Sequence, residues 1–216
     1  MEIRDIRAVL FDMDGTLVDS DAAVERAWTV WSAEYGVPAA DVLAIAHGSP
    51  AESTVDRICP DLPAGERAAA AVRQLELQYD DLSDVTATPG AHEVLRVLER
   101  LGLPWAIVTS ADDRLAKLRL AVAGIAPPVL VTVEDISRGK PDPEGYLHAA
   151  SLLGVPPQHC LVVEDAPVGL AAGRAAGAVT AGLKGLPADI ELADLHQLAA
   201  LLTASSAENS SGLEAG

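Results

Sequence analysis

Four short apolar runs without polar alternation limit how this chain can fold more than any other feature of its sequence. They are AVLF at 8–11, WAIV at 105–108, VLV at 129–131 and CLVV at 160–163, with a weaker fifth run, VTAGL, at 179–183. Continuous runs of this kind are typical of strands buried on both faces, as in a parallel sheet covered by helices. The runs therefore predict a central parallel sheet.

The stretches between the later runs have the periodicity of helices. Apolar residues recur at helical spacing in 90–102, 114–124 and 168–177, and each stretch ends in a glycine, a common helix stop. Strands that alternate with helices in this way indicate an α/β fold. We therefore expect a doubly wound parallel sheet of the Rossmann-like kind.

The stretch from 20 to 87 differs because it contains no convincing strand pattern. Its residues instead form two long helical patterns, at 21–36 and 64–82, before the α/β pattern resumes near Pro89. The chain end is rich in small and polar residues, a composition typical of disorder. The predicted division is an α/β core of residues 1–19 and 88–204, a helical insertion of residues 20–87 and a disordered tail of residues 205–216.

Charge and composition exclude several classes of function. The formal net charge of −17 disfavours binding to nucleic acids and to anionic membranes. Aromatic residues make up 3 % of the chain, which is too few for a surface that stacks on bases. No apolar run approaches the roughly 20 residues of a membrane span, and the charged start MEIRDIR does not resemble a signal peptide. Cys59 and Cys160 are expected to be reduced thiols. We expect a cytoplasmic monomer that acts on a small molecule.

Polar residues follow three of the apolar runs, at the point where each predicted strand ends. They are Asp12 and Asp14 after AVLF, Thr109 and Ser110 after WAIV, Glu164 and Asp165 after CLVV, and Lys140 in the Pro-rich turn 138–146. Ligands of parallel α/β sheets bind outside the carboxyl ends of the strands. Carboxylates clustered there need a cation, and an oxygen-rich site suits magnesium. Ser110 and Lys140 could then hold a phosphate, so the sequence indicates phosphoryl chemistry.

Each of these residues also has a simpler structural interpretation. Asp12 and Asp14 could be turn residues, and Lys140 could lie on the surface. Ser110 and Asp165 could cap the helices that follow them, and Glu164 could be solvated. For Asp19 and Ser20 we favour helix capping over catalysis. For every other residue named in this paragraph, the order of the motifs along the chain favours the chemical interpretation.

The motifs together resemble those of the haloacid dehalogenase superfamily, in particular its phosphatases and phosphomutases with a helical cap. The matching stretches are DMDGT at 12–16, VTS at 108–110, GKPDPEGY at 139–146 and VVEDAPVGLAAGRAAG at 162–177. The resemblance covers residues 7 to about 185, with the motifs in family order. HGSPAESTVDRICP at 47–60 is similar to the cap segment of sugar- and polyol-phosphate phosphatases. The insertion is thereby identified as the cap.

The resemblance implies a role for each motif residue. Asp12 would be the nucleophile that forms an aspartyl-phosphate, and Asp14 the general acid and then base. Mg²⁺ would be held by Asp12, the backbone carbonyl of Asp14, Asp165 and, directly or through water, Glu164. Ser110 and Lys140 would bind the phosphoryl group. The resemblance also implies a strained bond, which could be cis, between Lys140 and Pro141.

Further contacts to the substrate are expected from backbone groups and from the insertion. The backbone amides that follow Asp12 and Ser110, the latter being that of Ala111, would complete the phosphate cradle. His47 and Gly48 would bring the insertion close to the leaving group. The expected substrate-binding set is therefore Asp12, Asp14, Ser110, Ala111, Lys140, His47 and Gly48.

The leading functional hypothesis is a Mg²⁺-dependent phosphatase that acts on a small phosphorylated sugar, polyol or similar metabolite. The alternative is a phosphomutase resembling β-phosphoglucomutase. That branch commonly carries a His where this chain has Val24, and an Arg soon after the cap Gly, where this chain has Ser49 and Pro50. Both departures favour the phosphatase. Asp14 argues against a dehalogenase, and the complete motif set argues against a catalytically silent binding protein.

Overall fold

The structure, a computed structural model, describes residues 3–46 and 48–213. The strands in these residues are β1 (Ala8–Phe11), β2 (Val18–Asp19), β3 (Thr86–Ala87), β4 (Trp105–Val108), β5 (Leu130–Val131), β6 (Cys160–Glu164), β7 (Val179–Gly182) and β8 (Ile190–Glu191). The helices are α1 (Asp21–Tyr35), α2 (Ala39–Ala46), α3 (Ala51–Ile58), α4 (Ala64–Asp80), α5 (Ala91–Leu101), α6 (Asp113–Val122), α7 (Glu144–Leu153), α8 (Pro167–Ala175) and α9 (Leu195–Leu213).

Six strands form one parallel sheet in the order β5-β4-β1-β6-β7-β8. Side chains of β1 alternate between two apolar clusters, because successive residues of a strand face opposite sides of the sheet. Val9 and Phe11 join the cluster that also contains residues of α5, α6 and α9, whereas Ala8 and Leu10 join the cluster with α7 and α8. Helices therefore cover both faces, and the predicted doubly wound α/β fold is confirmed.

The four helices α1 to α4 form an insertion between the antiparallel strands β2 and β3. Their apolar side chains make a separate cluster around Trp28, Trp31 and Val55. Trp31 is buried and donates its indole N–H to the carbonyl of Ala70 at 2.8 Å, which joins α1 to α4. The insertion thus has its own core, and we refer to α1–α4 as the helical insertion.

Three short strands and the full length of α9 were not predicted from the sequence. Strands β2, β3 and β8 are each two residues long, which is too short for a hydrophobic period to reveal. Helix α9 continues to Leu213, so the predicted disorder is wrong for residues 205–213, and the remaining tail residues lie outside the described part. A helix already nucleated by packed residues such as Leu198 and Leu202 can extend through polar residues at little cost.

Two expectations drawn from composition can be compared with the described residues. Cys59 at the end of α3 and Cys160 in β6 are free thiols, as expected. Burial raises the pKa of the Cys160 thiol to about 11, which makes its reactive thiolate scarce. No helix in the described residues has both the length and the apolar composition that a membrane span requires.

Candidate active site

The carboxyl ends of β1, β4 and β6 meet at one edge of the sheet and bring several sequence-predicted residues together. The backbone N–H of Asp12 donates to Val163 O at 3.0 Å, which sets the end of β1 beside the end of β6. Glu164 is the last residue of β6 and Asp165 follows it. Ser110 lies just beyond β4. The site is thus assembled from residues far apart in the sequence.

Lys140 lies between two of the carboxylates. Its Nζ donates to Asp12 Oδ1 at 2.5 Å and to Glu164 Oε1 at 2.7 Å, with 7 % of its side chain exposed. The hydroxyl of Tyr146 in α7 also donates to Glu164 Oε1, at 2.6 Å. The Lys140–Pro141 bond is cis. Glu164 therefore acts as the anchor that fixes Lys140 beside Asp12.

Burial and charge act in opposite directions on this group. Burial raises the pKa of Asp12 well above its ordinary value; Lys140 opposes this rise, and Glu164 and Asp165 reinforce it. Burial favours the neutral amine of Lys140, but the carboxylates of Asp12 and Glu164 outweigh it and raise the lysine's pKa. Lys140 is therefore charged, and the ionised form of Asp12 requires more positive charge than Lys140 alone supplies.

Asp12, Glu164 and Asp165 form a cluster in which one carboxylate oxygen from each residue lies within 4.8 Å of the other two. Two lysines lie next to these three carboxylates. Lys140 contacts Asp12, and Lys184 Nζ lies 3.0 Å from Asp165 Oδ2 but also pairs with Asp21. Burial raises the pKa of Asp165 too. This all-oxygen set with excess negative charge fits a hard divalent cation such as Mg²⁺.

The Asp14 side chain has different neighbours from Asp12. Its Oδ1 accepts a hydrogen bond from Ser20 Oγ at 2.7 Å and lies 2.9 Å from Arg119 Nη1. Ser20 precedes α1 but makes no side-chain capping bond, so the helix-capping interpretation of Ser20 is wrong. The site therefore separates the two aspartates of the first motif, with Asp12 facing Lys140 and Asp14 facing Arg119.

Ser110 and Gly48 join the core to the helical insertion. Ser110 Oγ donates to Gly48 O at 3.2 Å, and the Ala111 N–H donates to Thr109 Oγ1 at 3.0 Å. The cap of α6 is Asp112, which accepts from the Leu115 N–H, so capping by Ser110 is excluded. His47 lies outside the described residues. Gly48 has φ +71°, a conformation that favours glycine, and a Cβ there would lie 2.8 Å from Ala166 Cβ.

A cavity of about 70 Å³ lies between the insertion and the sheet edge. Asp12, Asp14 and Ser110 line it from the core. Ser20, for which the sequence favoured capping, and Gln74, Gln78 and Arg119, which no motif indicated, add further polar groups. Arg119 could have been found, because it occupies a position on the apolar stripe of α6 with Leu115 and Leu120. The glutamines of α4 carry no comparable signal.

Helix α8 packs against Glu164 without any space for a side chain at Gly169. A Cβ at this position would overlap the Glu164 carboxylate, which is fully buried. We expect Gly169→Ala to lower the free energy of unfolding by about 1–3 kcal/mol, as overpacked cores do. Urea denaturation measures this. Gly65→Ala is the matched control, because Gly65 is an exposed position of α4 where a Cβ meets no atom within 4 Å, and the change should be neutral or stabilising. Equal stabilities of the two variants would contradict the packing argument.

Comparison of the sequence and the fold with known proteins identifies the family. Residues 6–177 match the family model described as haloacid dehalogenase-like hydrolase. Hexitol phosphatase A of Escherichia coli (strain K12) is 45 % identical over 172 residues, covering 79 % of this chain and 80 % of the relative. 2-Deoxyglucose-6-phosphate phosphatase 1 of Saccharomyces cerevisiae is 36 % identical over 193 residues, covering 81 % and 78 %. The fold is similar to that of β-phosphoglucomutase from Clostridium difficile, with a TM-score of 0.80, 23 % identity and coverage of 89 % and 93 %.

Proposed function

The chain belongs to the haloacid dehalogenase-like hydrolase family and is a phosphoric monoester hydrolase, and from this premise we propose that it hydrolyses small phosphorylated sugars or polyols. The observation that carries the proposal is the arrangement of Asp12, Asp14 and Lys140. A buried lysine holds one aspartate, and the second aspartate lies two residues away with different neighbours. Two carboxylates in different environments suit two different roles.

We propose that the reaction proceeds in two displacements. An oxygen of Asp12 attacks phosphorus while the ester P–O bond breaks, and Asp14 gives its proton to the departing alkoxide. A water molecule, whose proton Asp14 now takes, then attacks the phosphorus of the aspartyl-phosphate. The P–O bond to Asp12 breaks, which releases inorganic phosphate and restores both carboxyl groups. Lys140 stabilises the charge on the transferring phosphoryl group.

Mg²⁺ fits this site as the cofactor. Asp12 and Asp165 would hold it together with the backbone carbonyl of Asp14. Glu164 would contribute directly or through water; its Oε1 accepts from Lys140 and Tyr146, and its Oε2 accepts from the Ala166 N–H at 3.3 Å. When bound, the ion supplies charge that offsets the phosphoryl group and favours the ionised form of Asp12.

The side chains that line the cavity are suited to a leaving group that carries hydroxyls. Ser49 and Gln74 lie on its insertion side, together with Gln78, and Trp28 and Val24 add apolar surface. Such a mixture suits sugars and polyols, which present both hydroxyls and C–H faces. The names of the relatives, a hexitol phosphatase and a 2-deoxyglucose-6-phosphate phosphatase, agree with this class.

Val24 argues against the phosphomutase alternative. This residue lines the cavity at the position where the mutase branch commonly carries a histidine, and an aliphatic side chain cannot transfer a proton. The same cavity wall contains Ser49 and Pro50 where that branch carries an arginine. Isomerisation of β-glucose 1-phosphate without phosphate release would reverse this conclusion.

We further propose that the helical insertion is a mobile cap. Asp12 and Asp14 line a cavity whose other wall is formed by the insertion residues Gly48 and Gln74, so movement of the insertion would admit a sugar phosphate to them. The contact between Ser110 and Gly48 would then break and re-form in each cycle. The expectation of a cytoplasmic monomer stays a prediction, for which light scattering can test the oligomeric state.

Phosphate release from a panel of esters tests the proposed function. The panel contains p-nitrophenyl phosphate, glucitol 6-phosphate, 2-deoxyglucose 6-phosphate, glycerol 1-phosphate and phosphoglycolate, each measured with Mg²⁺ and with EDTA. We expect the highest kcat/KM with a hexitol or hexose phosphate, and a loss of at least about 100-fold in EDTA because the carboxylate cluster then lacks its cation. Turnover of no ester with Mg²⁺, or full activity in EDTA, would contradict the proposal.

A further inference from the structure

A buried arginine of α6 connects Asp14 to the helical insertion. Arg119 Nη1 lies 2.9 Å from Asp14 Oδ1, and Arg119 Nη2 donates to Gln78 Oε1 in α4 at 2.7 Å. Gln78 Nε2 in turn donates to Gln74 Oε1 at 2.6 Å. A single side chain of the core therefore joins Asp14 to α4 of the insertion.

Packing alone does not explain why an arginine occupies this position. Arg119 is 2 % exposed and shares the buried stripe of α6 with Leu115 and Leu120. Apolar residues can often replace a buried ion pair with no loss of stability. The Nε of Arg119 has no hydrogen-bond partner among the described residues, so the fold does not fully compensate its burial. A buried guanidinium with an unpaired Nε, placed beside the proposed proton-transfer carboxyl group, indicates a functional role.

The contacts of Asp14 are arranged on one side of its carboxyl group. Ser20 Oγ and Arg119 Nη1 both approach Oδ1, whereas no side chain among the described residues makes a hydrogen bond or ion pair with Oδ2. The planar guanidinium is rigid, so anchoring its other end on Gln78 restricts the orientation of Asp14 as well. The cavity is lined by Asp14, Gln78 and Arg119 together, so the whole chain of contacts borders the cavity that the proposed function assigns to the substrate.

We propose that Arg119 is a positioning residue that orients Asp14 for proton transfer and couples this orientation to the seating of α4. The inference rests on the proposed function, in which Asp14 protonates the leaving alkoxide. When α4 is seated, Gln78 holds one end of the guanidinium and the other end holds Asp14. When α4 moves away, the link to Gln78 is lost and the orientation of Asp14 is less defined.

The dependence of kcat/KM on the leaving group tests this inference. p-Nitrophenolate departs without a proton, whereas the alkoxide of glucitol 6-phosphate needs one. For Arg119→Met we expect a loss of about 10- to 100-fold with glucitol 6-phosphate and of less than about 5-fold with p-nitrophenyl phosphate. Arg119→Lys keeps the charge without the planar fork and should recover part of the loss.

A second variant tests the coupling without removing the buried charge. Gln78→Leu should show the same selectivity for the alkyl ester, with a smaller loss of about 3- to 10-fold. Arg73→Met is the control, because Arg73 also lies in α4 but pairs with Glu34 inside the insertion. It should leave the ratio of the two kcat/KM values unchanged.

The possible outcomes separate this inference from the proposed function. If Arg119→Met and Gln78→Leu lower both kcat/KM values by the same factor, Arg119 has only a structural role and the inference is wrong. If Arg119→Met does not fold, Gln78→Leu decides by the same ratio. If the unmodified protein hydrolyses no ester of the panel with Mg²⁺, the proposed function itself fails.

Discussion

Replacing Asp12 with asparagine is expected to lower kcat/KM for p-nitrophenyl phosphate by at least about 10³-fold while the protein stays folded. Asparagine has nearly the shape of aspartate, and its carbonyl can still accept the hydrogen bond from Lys140. It lacks the carboxylate oxygen that would attack phosphorus. The fold should tolerate the change, because one of three clustered carboxylates is removed while Lys140 keeps its contact with Glu164. Steady-state kinetics and thermal unfolding measure the two effects.

Two further aspartate variants show whether the loss is specific. Asp113→Asn changes an exposed aspartate at the start of α6, which pairs with Lys117, and should leave activity within about 2-fold. Asp14→Asn should still release a first equivalent of p-nitrophenolate, because this leaving group needs no acid, and then stall at the aspartyl-phosphate for want of a base. An Asp12→Asn protein with more than about a tenth of normal activity would exclude Asp12 as the nucleophile.

Replacing Lys140 with methionine is expected to lower the free energy of unfolding by about 3–5 kcal/mol, in addition to its effect on activity. Methionine fills a similar volume, but it leaves the buried carboxylates of Asp12 and Glu164 without their shared cation. The pKa of Asp12, already raised by burial, should rise further without Lys140. A carboxyl whose pKa is higher in the folded than in the unfolded state loses stability as pH rises, so the deficit should be larger at pH 8 than at pH 5.

Urea denaturation in EDTA at the two pH values measures this deficit. Lys117→Met is the control, because Lys117 forms an exposed pair with Asp113 and should change stability by less than about 1 kcal/mol. Combining Lys140→Met with Glu164→Gln should restore part of the stability, since one of the two uncompensated charges is then also removed. A Lys140→Met protein as stable as the parent at pH 8 would show that the lysine is not needed to offset the carboxylates.

The sequence was most informative where strand ends and chemistry coincide. The apolar runs at 8–11, 105–108 and 160–163 lie within β1, β4 and β6, and these strands place Asp12, Ser110 and Glu164 at a common edge. This inference succeeds because parallel strands share one direction, so a residue's position in the chain predicts its position in the sheet. The two-residue strands β2, β3 and β8 could not be predicted, because they lie outside the apolar runs and are too short to have a period.

The sequence was least informative for contacts between the insertion and the core. Ser20 looked like a helix cap, yet its hydroxyl contacts Asp14, because position before a helix does not determine where a side chain points. Gln78 and Arg119 lie 41 positions apart, and neither belongs to a motif. Their partnership follows from the way α4 packs on α6, where the Tyr79 hydroxyl also donates to Asp112.

The sequence by itself therefore determined the α/β fold class, the order of the motifs and the identity of the aspartates and lysine that meet at the sheet edge. These features depend on local periodicity and strand direction, which a chain encodes residue by residue. Only the tertiary structure decided that Glu164 anchors Lys140, that Asp14 faces Arg119 rather than the carboxylate cluster, and that α4 reaches Asp14 through Gln78. Such contacts depend on side-chain direction and on the packing of two separate cores, which no local pattern specifies.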